Sequence, residues 1–480
     1  MLQGTGSDVG KSVLTAALCR IAVRRGLSVA PFKPQNMSNN AAACPDGGEI
    51  GRAQALQARA AYIPPCTDMN PVLLKPETDR TAQIVVQGKA LTSMQAAEYM
   101  ANRDQLMGAV LESFDRLRAR HDLVLVEGAG SLAEVNLRDR DIANMGFARR
   151  ADVPVCLVGD IDKGGVIASL VGTQNVISPE DAAMIKGFLI NKFRGDLRLF
   201  DDGVSFIEAR TGWPCFGVVP WIAATAELPA EDAVTLQKPA PIGSGRIKIA
   251  GPMLSRIANF DDADPLRLES GVEFDWVPPG RPLPRDADLI ILFGTKSTIG
   301  DLAFLRAQGW DHDILSHARS GGRVLGICGG YQMLGHTISD PGGHDGTPAT
   351  VSGLGLLDVK TQMTNAKTIS EVSGNCARTN HPLSGYEIHT GHTEGPDTKR
   401  PFSTLEGILD GARSEDGLIE GTYLHGAFAS DLFRRSWLQS FGLNTTDTMR
   451  YEARVNAALD ALADGVEAAL DVDALLALAR

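Results

Sequence analysis

The chain has 480 residues, 44% of them apolar and 22% charged, with a net charge of −12. That length exceeds one ordinary core and predicts two or three domains. The acidic balance excludes a nonspecific nucleic-acid binder, and no apolar run is long enough to span a bilayer. Seven cysteines stand singly, without Cys-x-x-Cys pairs, and the first residues carry no basic-then-apolar leader. A reducing cytoplasm is therefore expected, with neither a disulfide framework nor a zinc site. An anionic substrate stays open, because local arginines can override the global sign. No oligomeric state can be read from these numbers.

Along the chain, short apolar runs predict strands at Ser28–Phe32, Leu123–Val126, Val155–Val158, Ile185–Ile190 and Cys215–Val219. Helical patterns lie between them at Ser12–Arg25, Gly51–Ala61, Ser93–Arg120 and Val166–Val176. This alternation predicts βαβ units and a parallel sheet covered on both faces. Only three residues precede Gly4, short for a first strand, so a start a few residues upstream is expected. The Pro- and Gly-rich stretch Gln237–Arg246 reads as a linker. A second α/β series follows, with strands at Ile247–Ala250, Glu273–Val277, Leu289–Phe293 and Arg323–Ile327. The expected division is 1–236, a linker at 237–246, 247–442, and an Ala- and Leu-rich helical tail at 443–480 that docks as a helix pair.

Gly4-Thr5-Gly-Ser-Asp-Val-Gly10-Lys11-Ser12 follows an apolar start and opens a helix. Backbone N–H groups from Gly4 and Thr5 to Gly10 can surround phosphate oxygens, helped by the helix N-terminus. Lys11 would reach the β- and γ-phosphates of ATP, and the Ser12 hydroxyl would ligate Mg²⁺. Five residues separate Gly4 from Gly10, one more than the usual phosphate loop.

A second motif is Gly326-Ile-Cys328-Gly329-Gly330, at the end of an apolar strand and the start of a helix. This is a nucleophile elbow with cysteine in place of serine. The turn exposes the sulfur, the helix N-terminus favours thiolate, and the Gly329 N–H can stabilise an oxyanion. Gly294, in the loop after the preceding strand, is the expected second donor. The partner base is sought among nine histidines. His425, after a short apolar strand, is the first candidate; His389 and His392 are the alternatives.

These residues resemble known families. The loop spacing is similar to that of the dethiobiotin synthetase group of P-loop proteins. That resemblance implies that Lys33 sits near the reacting phosphate and that Glu127, in Leu-Val-Glu-Gly-Ala-Gly, is a second metal ligand. Asp46 is a further metal candidate or a turn former, and Asn191 an adenine contact or a cap. The elbow resembles a class I glutamine amidotransferase domain of flavodoxin-like α/β fold, in which a Cys-His pair releases ammonia from L-glutamine. Most such domains have glutamate two residues after the histidine; here that position is Ala427, so a dyad is expected.

A dethiobiotin-synthetase-like ATP domain ahead of such a glutaminase resembles the cobyric acid synthase family. The resemblance extends over nearly the whole chain, in Phe32-Lys-Pro-Gln-Asn-Met-Ser, Asp46-Gly-Gly-Glu-Ile-Gly-Arg, Asn136-Leu-Arg-Asp-Arg-Asp-Ile-Ala-Asn-Met and Gly421-Thr-Tyr-Leu-His-Gly. It implies ATP- and glutamine-dependent amidation of the b, d, e and g propionates of adenosylcobyrinic acid a,c-diamide. Arg138 and Arg140 would meet the carboxylates of this corrinoid, or would pair with Asp139 and Asp141. The rivals are a cobyrinic acid a,c-diamide synthase and, from another class, a partitioning-type P-loop ATPase. The loop lacks the early lysine of the latter.

Overall fold

The computed structural model describes residues 1–77, 81–231, 246–443 and 449–479, with the side chains of 92–104 left out of account. The expected linker lies outside the described residues except for Arg246. No helix among the described residues is long and apolar enough to cross a membrane.

The first domain is built on a six-stranded sheet in the order Cys215–Pro220, Ile185–Phe193, Val155–Asp160, Leu2–Gly4, Leu123–Ser131, Val29–Phe32. Every neighbouring pair is parallel. Val29–Phe32 and Val155–Asp160 are buried at every residue, as a strand covered on both faces must be. Leu2–Gly4 is short but central, so the chain leaves the middle of the sheet directly into the Gly4–Ser12 loop. Helix Lys11–Arg24 follows, and helices Arg52–Ala60, Ala96–Arg118 and Val166–Val176 fall within a few residues of expectation. A smaller sheet of Gln35–Met37, Val72–Pro76, Thr81–Val86 and Lys89–Gln95 was not anticipated.

The second domain has a sheet ordered Val272–Val277, Ile247–Pro252, Leu289–Leu292, Arg323–Ile327, Ile419–Thr422, Ala412–Arg413. All its pairs are parallel except the last. Beside it stands a long antiparallel hairpin, Lys360–Cys376 with Pro382–Glu394. This hairpin also escaped the sequence reading, because its strands are largely polar and alternate only weakly.

The tail forms helices Tyr451–Ala469 and Val472–Leu476, and it returns to the first domain. Val455, Leu459, Leu462 and Val466 pack in one core with Leu14, Leu18 and Ile21 of helix Lys11–Arg24. Each fully buried aliphatic side chain contributes about 1.5–3 kcal/mol, so this contact is a substantial part of the first domain's core. Arg20, fully buried, meets Asp460 at 2.9 Å, and Arg24 meets Asp464 at 2.6 Å.

The domains also touch directly. Asn259 N donates to Asn40 Oδ1 at 2.7 Å, Arg52 pairs with Asp261 at 3.0 Å, and Lys296 pairs with Glu77 at 3.0 Å. Ile388 of the hairpin joins Ala41, Ala43, Leu73 and Val85 in an apolar cluster.

Candidate active sites

The Gly4–Ser12 loop closes over its own lysine. A Cβ at Gly4 would lie 2.7 Å from Gly6 O and 2.8 Å from Lys11 Nζ, so only glycine fits there. Lys11 Nζ donates to Gly6 O at 3.0 Å and Gly130 O at 2.9 Å. Burial pushes its pKa down to about 8, against the attraction of Glu127. Gly10 adopts φ 96°, and a Cβ there would sit 2.2 Å from Asn191 Nδ2. Asn191 donates that amide to Val9 O at 2.9 Å, and Lys192 binds Asp8 O and, at 2.8 Å, Asp160. Strand Ile185–Phe193 thus clamps the loop from one side. The Thr5 N–H goes to Val158 O at 3.1 Å, as an extension of the sheet ladder. Contrary to expectation, that amide is not turned toward a phosphate.

Beneath the loop, Glu127 is fully buried in the middle of strand Leu123–Ser131, not at its end as the sequence suggests. Its Oε1 accepts from Ser12 Oγ at 2.7 Å and Lys33 Nζ at 2.8 Å, and its Oε2 accepts from Gln57 Nε2 at 2.6 Å. Burial works against the Lys33 charge, but Glu127 and Glu231 more than offset it and hold the ammonium above the ordinary lysine range. The sequence-predicted Lys11, Ser12, Lys33 and Glu127 therefore come together. Asp46 does not join them through hydrogen bonds: it is exposed and accepts from Thr67 N and Oγ1, both at 2.9 Å. These bonds tie it to a residue 21 positions later in the chain.

Arg138 pairs with Asp181 at 2.6 and 2.8 Å, rather than with Asp139 or Asp141. Asp141 instead accepts from the backbone N–H groups of Ala143, Asn144 and Gly146, and so caps helix Met145–Arg150. Asn144 then holds Ala129, two residues past Glu127, through both its amide atoms. Arg138 and Arg140 line a cavity of about 330 Å³ with Arg149 and Arg150.

In the second domain, Cys328 is held at φ 53°, ψ −111° between strand Arg323–Ile327 and helix Gly329–Leu334. Such a non-glycine conformation costs about 1–3 kcal/mol and persists only when its surroundings enforce it. They do so here. A Cβ at Gly326 would meet Gly330 O at 2.6 Å, and one at Gly330 would meet Leu292 O at 2.0 Å. Cys328 N donates to Thr422 O at 2.8 Å, and the thiol donates to Ile388 O at 3.4 Å. Gly329 lies against Thr295, and Gly294 against the His425 ring: Cβ atoms there would be 2.7 Å from Thr295 Cγ2 and 3.2 Å from His425 Cε1.

His425 is buried, and its Nδ1 lies 2.7 Å from Asp262 Oδ2, while Gly426 N donates to Asp262 Oδ1 at 2.6 Å. Burial alone would lower the ring's pKa; Asp262 and Cys328 outweigh it and raise it to about 10. Tyr386 stacks on the ring, with centroids 5.2 Å apart. His389 stacks on Tyr423, its Nδ1 bonds Gly391 O at 3.0 Å, and burial pushes its pKa down to about 4. His392 is exposed. Of His425 and His389, it is His425 whose protonated form Cys328 favours.

The expected dyad is therefore incomplete. A third group, Asp262, orients the histidine from 163 residues earlier in the chain. The place after His425 that usually holds glutamate is filled by buried Ala427. No spacing in the sequence marks Asp262; adjacent Asp261 and Asp262 look like an ordinary loop pair.

Residues 1–236 match the CobQ/CobB/MinD/ParA nucleotide binding domain, and residues 248–433 match the CobB/CobQ-like glutamine amidotransferase domain. A nucleotide switch of the partitioning type does not account for the second match. Cobyric acid synthase of Hyphomonas neptunium is 66% identical over 479 residues, covering 100% of this chain and 97% of that protein. Cobyric acid synthase of Paracoccus denitrificans is 64% identical over 480 residues, covering 100% and 99%. That of Bradyrhizobium diazoefficiens is 62% identical over 483 residues, again covering 100% and 99%. Matched in both halves and along its whole length, this chain belongs to the cobyric acid synthase family of glutamine-dependent amidotransferases.

Proposed function

We propose that the chain amidates the b, d, e and g propionates of adenosylcobyrinic acid a,c-diamide with ATP and glutamine, giving adenosylcobyric acid for cobalamin. The observation that carries this reading is the pairing of two chemistries in one chain: a lysine-serine phosphate loop over Glu127, and a Cys328 elbow in the same domain as the buried His425–Asp262 pair. Its setting is the cytoplasm, where the free cysteines would stay reduced.

In the first domain a substrate carboxylate oxygen attacks the γ-phosphorus of ATP, the bond to the β–γ bridging oxygen breaks, and an acyl phosphate and ADP are formed. Lys11 exchanges its carbonyl partners for phosphate oxygens, a stronger, charge-assisted interaction. Lys33 adds a second cation beside the transferring group. The Ser12 hydroxyl and the Glu127 carboxylate are hard oxygen donors that fit Mg²⁺, which would neutralise phosphate charge when bound. Asn191 holds the loop against the nucleotide through Val9. The arginine-lined cavity at Arg138 and Arg140 receives carboxylates of the corrinoid.

In the second domain Cys328 Sγ attacks the glutamine amide carbon. The N–H groups of Gly329 and Gly294 take the developing oxyanion. His425 gives its proton to the departing ammonia, and Asp262 keeps the ring in register. Water then hydrolyses the thioester to glutamate. Ammonia displaces phosphate from the acyl phosphate and leaves the amide.

Mass spectrometry of corrinoid products after incubation with ATP and glutamine tests this. Four successive amidations of the a,c-diamide are expected. Amidation at a and c of unamidated cobyrinic acid would replace the proposal with the diamide synthase.

A further inference from the structure

The string Gln35-Asn-Met-Ser, part of one segment that carries the resemblance to the cobyric acid synthase family, has no role in the chemistry above. In the folded chain it and its neighbour Asn40 converge on one residue, Glu231. Asn36 Nδ2 donates to Glu231 Oε1 at 3.1 Å. Ser38 Oγ and Asn40 Nδ2 donate to the Glu231 carbonyl at 3.3 and 3.0 Å. Three side chains of one short segment are spent on placing a single glutamate.

The place it is held is the floor of the phosphate loop. Glu231 Oε2 lies 2.7 Å from Ser12 Oγ, and Glu231 Oε1 lies 3.0 Å from Lys33 Nζ. Glu127 Oε1 lies 2.7 and 2.8 Å from the same two atoms. A serine hydroxyl carries one proton and can serve only one of its two carboxylate neighbours. The other close oxygen–oxygen contact is left without a proton. Such a contact is tolerated where a cation shares the oxygens, and the Lys33 ammonium already bridges both carboxylates. A separate sign comes from Gln57. It is fully buried and donates to Glu127 Oε2 at 2.6 Å and Ser12 O at 3.1 Å, yet its Oε1 has no hydrogen-bond partner among the described residues. A buried amide oxygen left unpaired costs about 1–3 kcal/mol, and a metal-bound water would pair it.

We infer that Glu231 is the second carboxylate of the divalent-cation site, with Ser12 and Glu127, in the place expected of Asp46. The inference rests on the reading of Ser12 and Glu127 as Mg²⁺ ligands. Two carboxylates and a hydroxyl, with water in the remaining positions, is an oxygen set that suits Mg²⁺.

The test is Mn²⁺ binding to the full-length protein with a non-hydrolysable ATP analogue, followed by the electron paramagnetic resonance signal of free Mn²⁺. Metal-free nucleotide binding is measured alongside by calorimetry. Glu231→Gln is expected to weaken Mn²⁺ binding at least tenfold while leaving metal-free nucleotide affinity within about threefold. Glu231→Asp keeps the charge and should fall between the two, which guards against a misfolded Gln variant. Asp46→Asn should leave Mn²⁺ affinity unchanged. If Glu127→Gln weakens Mn²⁺ and Glu231→Gln and Glu231→Asp do not, the inference fails while the underlying metal site stands. If neither Glu127→Gln nor Glu231→Gln has an effect, the site itself is misplaced. A Glu231→Gln protein that binds metal-free nucleotide more tightly, with Mn²⁺ affinity unchanged, would make Glu231 a plug and overturn the inference.

Discussion

Replacing Asp262 by asparagine separates the orienting role of this residue from its bulk. Asparagine keeps the size and can still accept from Gly426 N, but it removes the negative charge 2.7 Å from His425 Nδ1. Both partners are about 2% exposed, so solvent does little to screen the loss. Breaking a buried charge pair by removing one member costs about 3–5 kcal/mol. If most of that appears in the transition state, where the ring carries a proton, glutamine hydrolysis slows by roughly 10²–10³-fold, at 1.36 kcal/mol per decade. The pH dependence of stability should change too. The ring's pKa is raised from 6.5 to about 10 in the folded chain. Its stabilisation is therefore fully present below about pH 6.5 and is lost as pH rises through 10. Asp262→Asn should flatten urea-melt stability across that window. The assay is glutamate release from glutamine, with ammonia-dependent amidation as the internal control, expected to stay near the parent rate. A folded Asp262→Asn protein that hydrolyses glutamine within about threefold of the parent would show that the ring does not depend on Asp262.

Cys328→Ala should lose glutamine-dependent amidation and keep amidation from concentrated ammonium salt at mildly alkaline pH; loss of both would show that the two chemistries are not separable. Lys11→Ala should lose amidation from either nitrogen donor, because Lys33 is tied to Glu127 and Glu231 and does not take over the loop lysine's charge, and near-normal ATP-dependent turnover would remove Lys11 from the mechanism. His389→Asn should retain glutaminase activity within about threefold, since the ring is stacked on Tyr423 and held neutral by burial. Leu459→Ala, at a fully buried position against helix Lys11–Arg24, should cost about 2–5 kcal/mol in a urea melt, and a loss below about 1 kcal/mol would mean that the tail is not part of the first domain's core.

Much of this protein was legible in the sequence because its defining features are local. The Gly4–Ser12 loop, the Cys328 elbow and the short apolar runs of the parallel sheets are contiguous, and each is dictated by backbone sterics or by burial on both faces. His425 could be ranked first because it follows a strand, as Cys328 does. What the sequence left open was decided by residues far apart in the chain. Asp46 lies in a motif yet only braces Thr67, whereas Glu231 lies in none and reaches Ser12 and Lys33. Ala427 suggested a missing carboxylate, and folding supplies Asp262 from the start of the second domain. The tail read correctly as helical, but its partner, helix Lys11–Arg24, is set by the shape of an exposed apolar face that only the assembled first domain presents. A local pattern records which conformation a segment prefers; which distant side chain completes a charge pair depends on where the packed cores bring the chain, and no spacing encodes that.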